Sequence, residues 1–192
     1  IFCTNQAATP IKSYSPEIIV HPYLISQTEL KREPTLEEVK ECVKSTSKWY
    51  VAMNAMVIGS GLGRDDAVSQ CIEELYSNLD KTITVCDGDF FWYLTEKNKE
   101  SLAEKIKKRA KFTVLTPNVA EFKRIWDFLK IDREQTSDEA QEAERKKLTS
   151  VAESPLLEIS LDNPLVVDYV EVSKKLGNVN ILGKGEVDII TN

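Results

Sequence analysis

The chain has 192 residues, 42% apolar and 29% charged, which suits a globular protein with one sizeable core. Its net charge of −6 argues against general binding to nucleic acid or to anionic membranes. No apolar run approaches the ~20 residues of a membrane span, and no signal-peptide pattern is present.

Strands alternate with helices along the chain. "IFCT" (1–4) and "EIIVH" (17–21) are short apolar runs that read as strands. A helix is expected over 35–50, opened by a Thr35/Glu38 capping box, with Leu36, Val39, Val43 and Tyr50 on one face. "AMVI" (55–58) reads as a buried strand. After "GSGLGRDD" (59–66), a helix turns Val68, Ile72, Leu75 and Leu79 inward. "TITVC" (82–86) is the next strand, followed by "DGDF" (87–90) and by a helix near 99–110 with Leu102 and Ile106 inward. The basic run "KIKKRAK" (105–111) reads as a solvated face of that helix.

"FTVL" (112–115) is another strand. The corner "TPN" leads into a helix with the stripe Phe122, Ile125, Trp126 and Leu129. Residues 131–162 are mostly charged and read as a surface insertion. Asn163 and Pro164 suit the start of a further helix and Gly177 its stop. "VNILGKGEVDIIT" reads as a hairpin.

Repeated β-then-α steps imply an α/β fold with a mostly parallel central sheet and helices on both faces. "AMVI", "TITVC" and "FTVL" are expected as adjacent central strands. Both ends of the sequence are strand-like, so residues 1–192 are read as one partial domain of a longer protein. The four cysteines, Cys3, Cys42, Cys71 and Cys86, have no short paired spacing and are expected as reduced, buried thiols in a cytoplasmic or mitochondrial interior.

Ligands of such sheets bind beyond the carboxyl ends of the strands. Three corners there carry unusual residues. Gly59, Gly61 and Gly63 match neither the dinucleotide fingerprint nor the Walker A pattern. They suit either a phosphate approach or a tight turn capped by Asp65 or Asp66. Asp87 and Asp89 suit a cation or ribose site, or a polar turn. Asn118 after Pro117 caps a helix whose start can face an anion or an amide. The single histidine, His21, reads as a packed residue.

These corners together resemble the ATP-dependent NAD(P)H-hydrate dehydratases, which have a ribokinase-like fold. The matching stretches are "IKSYSPEIIVHPYL" (11–24), "VIGSGLGRDD" (57–66), "VLTPNVAEFKRI" (114–125) and "GNVNILGKGEVDII" (177–190). The resemblance implies repair of NADH or NADPH whose ring has been hydrated. ATP phosphorylates the added hydroxyl, Mg²⁺ accompanies the phosphates, and loss of phosphate restores the ring. It implies that Gly61 and the run Asn118, Val119, Ala120, Glu121, Phe122, Lys123 and Arg124 contact the hydrated dinucleotide. It also implies that Lys184, Gly185, Glu186, Val187 and Asp188 contact ATP.

The family's Gly-Gly-x-Gly-Asp segment, which supplies the catalytic aspartate, is absent from the 192 residues. No catalytic residue is therefore assigned within them, and the 192-residue chain alone is expected to be inactive. Two further departures are "GSG" for Gly-Pro-Gly and "DGDF" for Asp-Ala-Asp-Gly, the second placing the Phe90 ring near the expected site. Two other readings stay open: a non-catalytic homologue serving as a structural subunit of a larger assembly or homo-oligomer, and a sugar or vitamin kinase of the same fold.

Overall fold

A computed structural model describes residues 1–97, 99–131, 164–185 and 188–191. The charged insertion from residue 132 onward, Asn163, Glu186 and Val187 lie outside the described residues. The chain opens with β1 (Phe2–Thr4), α1 (Asn5–Tyr14) and β2 (His21–Leu24), with β1 and β2 paired in parallel as a small sheet. The second strand thus starts where the sequence reading ended it. Residues before it are drawn into a turn: the Lys12 ammonium donates to the carbonyls of Pro16 (2.8 Å) and Ile18 (2.6 Å), and the Ile18 N–H donates to the Ser15 carbonyl at 3.3 Å. Pro22, which has no N–H to offer a ladder, is exposed there. His21 packs among aromatic rings, its centroid 4.1 Å from Trp49 and 5.2 Å from Tyr23.

The short α2 (Gln27–Leu30) precedes α3 (Leu36–Tyr50), which starts at the expected capping box between Thr35 and Glu38. Val39, Val43 and Tyr50 are buried, but Leu36 in the first turn is 66% exposed and lies off the packed face. Next come β3 (Ala55–Ile58), α4 (Asp66–Asn78), β4 (Ile83–Cys86) and α5 (Asp89–Trp92). A π-helical turn (Tyr93–Lys97), α6 (Lys99–Lys108), a 3₁₀ turn (Ala110–Phe112) and β5 (Thr113–Leu115) follow, then α7 (Val119–Leu129). The described chain closes with α8 (Pro164–Lys175) and the antiparallel hairpin β6 (Asn180–Gly183) and β7 (Ile189–Thr191).

Strands β3 to β7 form one sheet in sequence order, and the first four are parallel. The three expected strands are adjacent, with β3 at the edge of this sheet rather than inside it. Each step from β3 to β6 moves one strand in the same direction. Right-handed crossovers that step the same way lay their helices on the same face. On that face Ile58, Cys86, Leu115 and Ile181 sit side by side in register and are buried in a single core with residues of α4 to α8. The alternate residues point the other way, and there Val57 is 63%, Ile83 47% and Ile190 77% exposed. The fold class is the expected mixed α/β sheet with helices packed around it, and the described helices account for one of its two faces. Among the described residues no helix is long and apolar enough to cross a membrane.

This asymmetry has a direct test. Leu115→Ala removes a fully buried side chain from the covered face and is expected to cost about 2–5 kcal/mol. Val57→Lys, on the face the described helices leave open, is expected to change stability by no more than about 0.5 kcal/mol. Urea unfolding of the two variants checks both; a Val57→Lys loss as large as that of Leu115→Ala would mean that the second face is covered.

All four cysteines are free and buried. The basic run of α6 is not wholly solvated. Arg109 is 9% exposed, donates to the Thr82 carbonyl at 2.9 Å and lies 4.8 Å over the Tyr76 ring, because the start of the 3₁₀ turn sets it beside the segment before β4. Phe90 is fully buried, its centroid 5.7 Å from Tyr76. Its ring lies in the core rather than by the candidate site, because α5 and the π-helical turn carry Phe90, Phe91, Tyr93 and Leu94 inward together.

Candidate functional site

The loops at the carboxyl ends of the strands are tied to one another in a row. Where β3 ends, Gly59 adopts φ +122°, and a Cβ there would lie 1.6 Å from the Asp87 carbonyl oxygen. Only a glycine lets these two backbones touch. The Asp89 N–H donates to the Gly59 carbonyl at 3.1 Å, and the Gly63 N–H donates to the Asp89 carboxylate at 2.8 Å. The Tyr93 hydroxyl donates to the Gly63 carbonyl at 2.8 Å. Asp65 caps α4, accepting from the N–H groups of Ala67 (2.9 Å) and Val68 (3.1 Å). The corner is the tight, Asp65-capped turn that was one of its two readings. Gly59 serves close packing, whereas Gly61, at φ +67°, has nothing within 4 Å of its Cβ position and faces open space.

Asp87 is the hub of the row. Its carboxylate accepts from the Lys184 ammonium at 2.5 Å and from the Thr116 hydroxyl at 3.0 Å, with the Ser60 hydroxyl at 3.5 Å. Partial burial on its own would raise the Asp87 carboxyl. The hydrogen bonds from Lys184 and Thr116, with the Lys184 charge, outweigh it and hold the group below its ordinary value. The Lys184 N–H donates to the Pro117 carbonyl at 2.8 Å, and Lys184 forms a parallel bridge with Asn118. A residue at the start of the hairpin turn is thus anchored against the corner after β5.

At that corner Asn118 and Glu121 form a full capping box: the Asn118 side chain accepts from the Glu121 N–H at 2.9 Å, and the Glu121 carboxylate accepts from the Asn118 N–H at 2.9 Å. Glu121 is 9% exposed. Its carboxylate is occupied in holding the helix start, so it does not present a free base to the site edge. Asn118, Val119, Ala120 and Lys123 are exposed, and Arg124 is half-buried. Phe122 points into the core, stacked on Tyr169 at a centroid distance of 3.8 Å. Gly185 and Asp188 are exposed, and the Gly185 N–H donates to the Asp188 carboxylate at 3.3 Å. Asn118→Ala is expected to cost about 1 kcal/mol of stability, because it removes the cap; a thermal melt measures this before any binding experiment is read.

Sequence reasoning missed Thr116 and the bond between Lys184 and Asp87. Thr116 immediately precedes Pro117, and that restricted position was the available signal. The Lys184–Asp87 pair is 97 residues apart, and nothing local announces it.

The fold and this row of joined strand-end loops define an α/β protein with a mostly parallel sheet and its candidate site along the carboxyl edge. A family model described as NAD(P)H-hydrate dehydratase matches residues 1–153. The chain belongs to that family. It is 33% identical over 194 residues to the ATP-dependent (S)-NAD(P)H-hydrate dehydratase of Rattus norvegicus, matching 100% of this chain and 43% of that protein. The proteins of the same name from Arabidopsis thaliana (32% identity, 100% of this chain, 45% of the relative) and Sorghum bicolor (29%, 100% and 42%) are similar along the whole chain. The chain thus spans less than half the length of these relatives.

Proposed function

We propose that the protein, at its natural length, takes part in ATP-dependent repair of hydrated NADH and NADPH. The observation that carries this reading is the row itself: Gly61 open to solvent, Asn118 at the exposed start of α7, and Lys184 poised between them on Asp87. Family membership supports the substrate class. In this reading the γ-phosphoryl group of ATP passes to the added hydroxyl of the hydrated ring. The C–O bond then breaks with phosphate as leaving group while a ring proton departs, giving NAD(P)H, ADP and phosphate. Hydroxide is a poor leaving group and phosphate a good one, which is why a dehydration consumes ATP.

Gly61 gives the dinucleotide a place where no side chain intrudes. Asn118, Val119 and Ala120 offer it the exposed start of α7, where free N–H groups favour an amide or anion. Lys184 supplies a point charge for the ATP phosphates, with Asp87 holding its ammonium in place until nucleotide arrives. Gly185 and Asp188 extend the nucleotide contact, together with Glu186 and Val187 outside the described residues. Lys123 and Arg124 stand at the rim, and Phe122 and Glu121 act by fixing the helix. Mg²⁺ would arrive with ATP. Asp87 and Asp89 are already engaged, and among the described residues no three acidic, His or Cys side chains gather into a metal site. The described residues therefore do not make a magnesium site by themselves.

The reading is tested by incubating the protein with hydrated NADH, ATP and Mg²⁺ and following recovery of the near-ultraviolet absorbance of the reduced nicotinamide. Recovery that requires ATP is expected; recovery without ATP, or none in the natural-length protein, rejects it.

A further inference from the structure

A second feature lies beside the glycine corner. Gln27, Thr28, Lys31, Arg32, Arg64 and Asp65 line a surface cleft of about 530 Å³. It sits between the loop after β2 and the loop after β3. Those loops are joined directly, since the Gln27 N–H lies 3.0 Å from each oxygen of the Asp65 carboxylate. The cleft therefore adjoins the carboxyl end of β3, the kind of place where open α/β sheets receive ligands.

The charges in the cleft are unequally committed. Arg32 is spent on Glu38 through two hydrogen bonds of 2.9 and 2.7 Å. The Asp65 carboxylate is turned to backbone N–H groups, those of Gln27, Ala67 and Val68. Glu33, just outside, accepts from the side-chain amides of Gln27 (2.7 Å) and Gln70 (3.3 Å). Lys31 and Arg64 remain. Among the described residues neither forms an ion pair, and the Arg64 guanidinium lies 6.0 Å over the Trp92 ring. On a chain of net charge −6, two uncommitted cations facing one cleft favour a compact anion, and a guanidinium is suited to a phosphate.

We infer that Lys31 and Arg64 form a phosphate subsite for the dinucleotide, separate from the ATP end of the row. The inference rests on the repair reading for its ligand. The two sites draw on different elements: Lys31 and Arg64 line the cleft between the loops after β2 and β3, whereas the Lys184 ammonium is held on Asp87 after β4. A dinucleotide whose ring lies at Gly61 would place a phosphate at the Lys31/Arg64 end and leave Lys184 to ATP.

The test uses the natural-length protein and its Lys31→Ala/Arg64→Ala double variant, matched by thermal melt. The probes in calorimetry are inorganic pyrophosphate, NADP⁺ and NAD⁺. The variant is expected to bind pyrophosphate and NADP⁺ about 10-fold more weakly, and the wild-type affinity to fall with added salt. Weakening of NADP⁺ but not NAD⁺ assigns the subsite to the 2′-phosphate; equal weakening assigns it to the pyrophosphate bridge. Unchanged affinity for all three probes, or no binding of any of them by the wild type, overturns the subsite even where ATP-dependent repair proceeds. Loss of pyrophosphate affinity in a protein without repair activity sustains the subsite and removes the repair reading.

Discussion

Gly59→Ala is expected to destabilise the protein by roughly 3–5 kcal/mol, lowering the melting temperature by about 10 °C. Two costs combine. The residue holds φ +122°, a conformation that side chains resist, and the new Cβ would lie 1.6 Å from the Asp87 carbonyl oxygen and 2.9 Å from the Phe90 Cβ. Neither neighbour can yield freely. The Asp87 backbone is held by its N–H on the Ile58 carbonyl (2.9 Å) and by the Phe90 N–H on its own carbonyl (3.1 Å), and Phe90 is fully buried. Gly61→Ala, two residues on, supplies the control. Its Cβ meets nothing within 4 Å, so only the backbone term remains, about 1 kcal/mol. Equal melts for the two variants would show that the loops after β3 and β4 are not in contact.

Lys184→Ala is expected to lower kcat/KM for ATP-dependent repair by about 10²–10³-fold while changing stability by no more than about 1 kcal/mol. The imbalance follows from position. The side chain is 44% exposed, so its ion pair with Asp87 is solvent-screened and worth little to folding, whereas a phosphate drawn to it sheds water. Asp87→Asn separates the two roles through pH. The folded Asp87 carboxyl is held below its unfolded value of about 3.9. Its contribution is therefore present above that value and is lost as pH falls through the lower folded one. Wild type should lose stability in that acid window more steeply than Asp87→Asn. Parallel acid limbs, or a Lys184→Ala protein with undiminished turnover, would remove Lys184 and Asp87 from the working site.

Much of this was legible in the residues. The Thr35/Glu38 box, the Asn118 cap and the Asp65 cap could be read from spacing because each is closed by partners within three residues. The apolar stripes of α4 and α7 were equally plain, since a buried helix face repeats at helical spacing whatever it packs against. Even there, periodicity did not say how far a stripe stays covered, and Leu36 lies outside the packed face. The apolar run at 17–21 reads as a strand, yet within it the Ile18 carbonyl accepts from the Lys12 ammonium, and the strand runs over His21–Leu24.

What the chain's linear order determined by itself is the set of strands and helices, their caps and the corners where glycine, aspartate and asparagine collect. Those depend on hydrogen bonds and contacts within a few residues. The tertiary structure alone decided that Gly59 is a packing glycine and Gly61 an open one, that Phe90 is core, and that Lys184 meets Asp87 across 97 residues. It also decided that successive crossovers stepping one way leave Val57, Ile83 and Ile190 exposed together. Each of these turns on which strand lies beside which, and strand order is set by the packing of the whole sheet, to which no single segment holds the information.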